Sequence, residues 1–285
     1  MAQIIDGKAI SKKVKEELKI EVENLKKRGV TPKLSVVLVG DDPASKVYVR
    51  NKEKSAAQVG IESETIKLPA ETTEEELVNL IKKLNADPEV NGILVQLPLP
   101  FHISKDKIIE TLSPEKDADG FHPYNLGRLL AGIPSVVPCT PNGIMRMLDE
   151  IGFELKGKNA VVIGRSVIVG KPVAQLLLSR HATVTMCHSR TRNIEFYTKN
   201  ADVLVVAVGK SEIVNGEMIK EGAVVIDVGI NRKEDGKLVG DVHFESASQV
   251  ASWITPVPGG VGPMTVAMLL YNTVYLTKQQ HRIED

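Results

Sequence analysis

Cysteine is almost absent from this sequence: Cys139 and Cys187 are the only 2 in 285 residues. So few thiols cannot build a disulfide framework, and the chain is expected in a reducing compartment. An excess of one charge is also missing, since 36 basic residues balance 36 acidic ones. No overall field therefore recruits nucleic acid or an anionic membrane surface. No apolar run approaches the roughly eighteen residues of a membrane helix. The opening segment MAQIIDGKAI lacks the basic and then apolar pattern of a signal peptide. The 6 histidines are scattered without ligand spacing and Cys-x-x-Cys does not occur, so no metal site is expected. These absences leave a soluble, cytoplasmic globular protein, long enough for one large or two modest domains.

What the sequence does contain is organised around residues 159–172, NAVVIGRSVIVGKP. The apolar run Ala160–Ile163 meets Gly164, then a short polar link, Gly170 and Pro172. This reads as a strand, a glycine turn and a helix start. Such a turn can aim backbone N–H groups and a helix N-terminus at a phosphate. The spacing is not G-x-G-x-x-G, and a plain βα turn with two glycines would read the same way.

Before that turn, Ala9–Arg28 carries a helical stripe through Ile10, Val14, Leu18, Val22 and Leu25, and Gly29 ends it. Leu34–Val39 reads as a buried strand. The next segment, Ala44–Gly60, if helical, sets Tyr48 and Lys52 four residues apart on one face. A ring can stack on a flat substrate while an amine shuttles a proton, provided burial or a neighbour lowers the amine's pKa. A Tyr–Lys pair on a solvated face would give the same spacing. Ile61–Leu68 and Gly92–Leu97 are further strands, with the helix Thr73–Asn85 between them. Repeated βα units argue for a parallel sheet. Gln96 is a polar side chain at the carboxyl end of an apolar strand, where ligands of open α/β sheets bind. Ser113–Gly132 is a loop before a short helix, with Asp117 and Asp119 able to grip an amino-substituted heterocycle or to serve as turn residues.

The second half opens with Pro138-Cys139-Thr140-Pro141, a linker into a helix at Asn142–Ile151 and a domain boundary. Ala182–His188 reads as the strand after the glycine-turn helix. An NAD-specific unit would carry a carboxylate near this strand's end. This sequence has Ser189-Arg190-Thr191-Arg192 there, and Arg165 in the turn itself, which suits the 2′-phosphate of NADP. Ala201–Val208 with Gly209, and Ala223–Val228 with Gly229, are short buried strands ending at glycine. Residues 258–263 (PGGVGP) form a tight loop, and a helix follows from Thr265 through Val266–Leu276. Cys139 and Cys187 read as buried fillers.

Taken together, these segments closely resemble the bifunctional methylenetetrahydrofolate dehydrogenase/cyclohydrolase family over almost the whole chain. The resemblance is carried by Ser45–Gly60 (SKVYVRNKEKSAAQVG), Gly92–Pro100 (GILVQLPLP) and Pro114–Gly127 (PEKDADGFHPYNLG). It continues through Thr140–Gly143 (TPNG), Gly164–Pro172 (GRSVIVGKP), Cys187–Thr191 (CHSRT), Gly222–Arg232 (GAVVIDVGINR) and Pro256–Thr265 (PVPGGVGPMT). It implies a two-domain α/β fold: an N-terminal catalytic domain with a mainly parallel sheet, a Rossmann-type NADP-binding domain, and a cleft between them. The implied domains are 1–140, with helix 265–285 packing back on it, and 141–264. The implied activity is oxidation of 5,10-methylenetetrahydrofolate with NADP, then hydrolysis of the methenyl product to 10-formyltetrahydrofolate. That chemistry belongs to one-carbon metabolism and purine biosynthesis, and the family is usually homodimeric.

By resemblance, Tyr48 stacks on the folate, Lys52 is the catalytic lysine, Gln96 hydrogen-bonds it, and Asp119 binds the pterin end. Leu97, Pro98, Pro258, Gly259 and Gly260 complete the implied substrate side. The implied cofactor side is Thr140, Gly164, Arg165, Ser166, Val169, Gly170, Ser189, Val208, Gly209, Gly229 and Ile230; Arg190 is added from charge. Two positions depart from the family pattern: Ala118 where valine is frequent, and His243 where an acid is common. A dehydrogenase without the hydrolase step, or an idle NADP-binding module, are the alternative readings.

Overall fold

The computed structural model describes residues 1–283. In chain order, β1 (Gln3–Ile4) and α1 (Gly7–Lys27) are followed by β2 (Lys33–Val39), α2 (Pro43–Val59) and β3 (Glu62–Leu68). Next come α3 (Glu74–Ala86), β4 (Gly92–Val95), α4 (Lys105–Thr111), α5 (Pro123–Leu130) and α6 (Cys139–Glu150). After these lie β5 (Asn159–Ile163), α7 (Gly170–Ser179), β6 (Thr183–Cys187), α8 (Ile194–Thr198), β7 (Val203–Val206) and β8 (Val224–Asp227). The chain closes with β9 (Asn231–Arg232), β10 (Leu238–Val239), α9 (Phe244–Ala247), β11 (Trp253–Ile254) and α10 (Val261–His281). Among the described residues no helix is long and apolar enough to cross a membrane.

Two compact units result, one of Lys13–Val137 with residues 266–283, the other of Met1–Lys12 with Pro138–Thr265. In the first unit, β2 lies between β3 and β4, and both pairings are parallel. Val37, Val39, Ile93 and Val95 pack there against Leu77 and Ile81 of α3 and Ile108 of α4. Helix α3 starts at a capping box: Thr73 Oγ1 accepts from Glu76 N, and Glu76 Oε2 accepts from Thr73 N. Helix α10 joins this unit, with Asn272 Nδ2 donating to the carbonyls of Ala118 and Val137 at 2.9 Å.

The second unit is built on a six-stranded sheet in the order β1-β11-β8-β7-β5-β6, parallel throughout. Strand order reverses between β5 and β7, the switch point where ligands of open α/β sheets collect. Ile163 pairs with Cys187 and with Val206, and Val206 pairs with Asp227. The residues that follow these four, Gly164, His188, Ala207 and Val228, therefore share one edge.

Three boundaries differ from the sequence expectation. Residues 1–12 belong with the second unit, because β1 pairs with β11 and Ile5 N donates to Ile254 O. Helix α6 begins at Cys139, not Asn142, since Pro141 falls in the first turn, where its missing N–H costs little. Helix α10 begins at Val261, inside the expected glycine loop, with Gly262 and Pro263 in its first turn.

Candidate active site

In the first unit the polar cluster grows from the carboxyl ends of β2 and β4. Asp42 caps α2 by accepting from Ser45 N at 2.7 Å, and Pro43 opens the helix. Val49, Ala56 and Val59 turn inward. Beside that buried face, Tyr48 is 43% exposed and Lys52 is half-buried. Gln96 sits one residue past β4, and its N–H donates to Val37 O at 2.9 Å, in line with the sheet. Gln96 Nε2 donates to Leu97 O at 2.7 Å, which turns Oε1 toward Lys52 Nζ at 2.9 Å. Tyr48, Lys52 and Gln96 are thus brought to one sheet edge, and the Lys–Gln contact spans 44 residues of sequence.

The turn carrying Asp119 is held by its neighbour. Asp117 is 1% exposed and accepts from Gly120 N, His122 N and Asn125 Nδ2 at 2.8–3.1 Å. Burial pushes its carboxyl above the usual range, against those donors. Asp117 is therefore the scaffold of the turn, and Asp119 the half-buried member of the pair. Asp119 and Leu97 line one small cavity with Ile93, Val95 and Phe121. Pro98 is exposed, after a cis Leu97–Pro98 bond. Ala118 is fully buried, and the Cβ that Gly92 lacks would lie 3.3 Å from its own Cβ. The smaller side chain fits that close packing.

In the second unit the sequence-selected residues that follow β5, β6, β7 and β8 fall along the shared edge, whereas Thr140 lies on α6 and Pro258, Gly259 and Gly260 lie before α10. Gly164 follows β5 at φ 128°, where a Cβ would overlap Ala207 O of the neighbouring strand end. Gly170 opens α7, and a Cβ there would overlap Gly164 O. Both glycines are therefore demanded by the turn itself. Ser166 Oγ accepts from Val169 N and Gly170 N at 3.2 and 3.3 Å, closing the turn. Arg165, Ser166, Ser189 and Arg190 are exposed along this edge, and the sequence has no carboxylate between Cys187 and Glu195. Val208 and Gly209 follow β7, while Gly229 and Ile230 follow β8. Thr140 lies on α6 with its hydroxyl 2.9 Å from that of Thr265. Pro258 is exposed after a cis bond. Gly259 and Gly260 are buried, and a Cβ on Gly7 would overlap Gly260 O. The donor set suits NADP: glycine turn, guanidinium and hydroxyl groups, and no opposing carboxylate.

Cys139 and Cys187 are both buried and unbridged, and burial pushes the Cys187 thiol up, away from reactivity. His243 caps α9: its Nδ1 accepts from Ser246 N at 3.4 Å and lies 2.9 Å from Ser246 Oγ. The ring nitrogen thus does locally what a carboxylate cap would do. Two groups escaped the sequence reading altogether, the buried carboxylates Asp227 and Asp241.

A parallel sheet with a glycine turn at its switch point, carried with a second α/β unit that holds a Tyr–Lys–Gln cluster, is the build of a nucleotide-dependent α/β enzyme. A sequence profile described as "Tetrahydrofolate dehydrogenase/cyclohydrolase, catalytic domain" matches residues 5–119. The NAD(P)-binding domain profile of the same family matches residues 138–281. The "Bifunctional protein FolD" of Moorella thermoacetica is 62% identical over 96% of this chain and 98% of its own length. A crystal structure of the FolD methylenetetrahydrofolate dehydrogenase/cyclohydrolase from Campylobacter jejuni superposes with TM-score 0.96 at 51% identity, covering 98% of this chain and 99% of that one. The Trypanosoma brucei enzyme, solved with NADP cofactor and inhibitor, superposes with TM-score 0.94 at 44% identity over 99% of each chain. The chain belongs to the tetrahydrofolate dehydrogenase/cyclohydrolase family.

Proposed function

We propose that this protein oxidises 5,10-methylenetetrahydrofolate to the 5,10-methenyl form with NADP and then hydrolyses that product to 10-formyltetrahydrofolate. The unit of residues 13–137 with the C-terminal helix from Val266 serves as the folate domain, and the unit of residues 1–12 with 138–265 as the NADP domain. It works as a cytoplasmic homodimer in one-carbon metabolism, supplying formyl groups for purine biosynthesis. The observation that carries the reading is the Lys52 Nζ to Gln96 Oε1 contact of 2.9 Å beyond the sheet edge, with Tyr48 one helical turn before the lysine.

NADP, when bound, supplies the hydride acceptor, and the folate carbon is left as a methenyl cation. Arg165, Ser166, Ser189 and Arg190 would hold the 2′-phosphate side of the cofactor, where guanidinium and hydroxyl groups can supply charge-assisted hydrogen bonds. Tyr48 lends its ring as a stacking face for the folate, and Asp119 accepts N–H bonds from the pterin. In the hydrolytic step water attacks the methenyl carbon and a C–O bond forms. Lys52 Nζ accepts a proton from that oxygen and returns it to folate N5 as the C–N5 bond breaks; the second water proton leaves to solvent. Gln96 aims the amine, its own orientation fixed by the Leu97 carbonyl.

The test supplies 5,10-methenyltetrahydrofolate without cofactor and follows loss of the methenyl absorbance. Wild-type protein is expected to hydrolyse it, and Lys52→Met to lose ~10²–10⁴-fold in rate. Full hydrolysis by Lys52→Met overturns the role given to the lysine.

A further inference from the structure

Two buried carboxylates stand behind the strand ends assigned above to the cofactor. Asp241 is 0% exposed, yet its acceptors are fully used. Oδ2 accepts from Val208 N at 2.7 Å and Gly209 N at 2.9 Å. Oδ1 accepts from Lys210 N at 2.8 Å and Asn231 Nδ2 at 2.9 Å. Asp227, at the end of β8, accepts from Gly229 N and Asp241 N through Oδ1 and from Val242 N through Oδ2, each at 2.9 Å. Every one of these donors is an amide, so dipoles and not a counter-ion hold the negative charge. The chain makes room for the pair with glycine: a Cβ on Gly229 would overlap Asp241 Oδ1, and one on Gly240 would overlap Asp227 Oδ2.

The consequence lies in what this edge can offer a ligand. Three consecutive N–H groups, those of residues 208–210, are turned to a protein carboxylate. They cannot cradle a phosphate as free amides at a strand end could. A fixed negative charge behind them disfavours an anionic group and favours a cationic or donor-bearing one. Asn231 ties the same carboxylate to the segment after β8, so residues 208–210 and 229–231 are set as one surface.

We propose that Asp241 is a positioning residue that fits this surface to the oxidised, positively charged nicotinamide half of NADP in preference to its neutral reduced form. The inference rests on the cofactor reading above, which assigns Val208, Gly209, Gly229 and Ile230 to that ligand. Equilibrium titration of wild type and Asp241→Asn with NADP⁺ and with NADPH tests it, alongside circular dichroism to establish that the variant is folded. The substitution keeps the shape but removes the charge and sets an NH2 group against N–H donors. The Kd for NADP⁺ is expected to rise at least ~10-fold, and that for NADPH at least ~3-fold less. Equal factors for both forms, which a purely structural role would produce, overturn the proposal. So does a Kd for NADP⁺ within twofold of wild type.

Should Asp241→Asn fail to fold, Asn231→Ala removes one donor and leaves both charges. It is expected to speed amide exchange at 208–210 and to raise the Kd for NADP⁺ about threefold; no change in either overturns the proposal. Wild-type protein that binds neither cofactor form removes the cofactor reading and this inference together. Wild-type binding with an indifferent Asp241→Asn removes this inference alone.

Discussion

Truncation of Gln96 to alanine isolates the contact on which the hydrolytic step depends. The side chain makes one bond to Lys52 Nζ at 2.9 Å and one to Leu97 O at 2.7 Å. Its backbone is held separately by Val37 O, so Gln96→Ala should leave the strand end in place. Once Lys52 has taken the proton in the hydrolytic step, its hydrogen bond to Gln96 is one to a charged amine and contributes ~1.5–3 kcal/mol when shielded from water. Both side chains are half-buried, and solvent screening brings the figure to ~1–2 kcal/mol. At about 1.4 kcal/mol per tenfold, methenyl hydrolysis should slow ~5–30-fold. The assay is a double-mutant cycle with Gln96→Ala, Lys52→Met and the pair, each scored by kcat for hydrolysis. If the glutamine acts through the lysine, Gln96→Ala has little further effect in the Lys52→Met background, and the coupling equals most of the single loss. Equal losses in both backgrounds would refute the reasoning, because the glutamine would then act without the lysine.

Other outcomes follow from the second unit. Asp227 is buried, and that burial, with Asp241 nearby, pushes its carboxyl up from 3.8 to about 6. A raised acid pKa means that the folded state binds the proton more tightly. The stability it contributes is full below about pH 3.8 and is lost as pH rises through about 6, a change of ~3 kcal/mol. Unfolding of wild type and Asp227→Asn across that range should show wild type losing ground to the variant as pH rises; the opposite slope would sink the assignment. Gly164→Ala places a Cβ against Ala207 O at a left-handed φ, and should cost ~2–4 kcal/mol in denaturant unfolding. A shift below ~0.5 kcal/mol would mean that the turn relaxes freely. Arg165→Ala should lower NADP affinity ~10–100-fold while leaving NAD affinity nearly unchanged; equal losses for both would place the guanidinium away from the 2′-phosphate.

Much of this architecture was legible because buried parallel strands read as largely apolar runs, and β2, β4, β5, β7 and β8 all do, with Ser35 the one polar residue inside them. Gln96 stood out for the same reason, as one polar residue at the end of such a run. Strands β1 and β11 were missed: each has two residues, too few for a period, and they exist only through pairing with each other and with β8. Helix α4 was also missed, at seven residues with Ile108 as its buried anchor. The starts of α6 and α10 were displaced because proline and glycine read as breakers, although both are tolerated in a first helical turn. Asp241 was illegible for a different reason. Its donors Val208, Gly209 and Lys210 lie more than thirty residues earlier, and no local pattern marks an aspartate that folding will surround with amides.

Nicotinamide reduction by the purified protein with 5,10-methylenetetrahydrofolate, run in parallel with NADP and with NAD, tests the dehydrogenase activity and its cofactor together. Reduction is expected with NADP, at a rate at least ~10-fold above that with NAD, as the hydroxyl and guanidinium groups after β5 and β6 require. Reduction with NAD alone would contradict the cofactor assignment of Arg165 and Ser189. No reduction with either cofactor, from protein shown to be folded, would contradict the dehydrogenase itself.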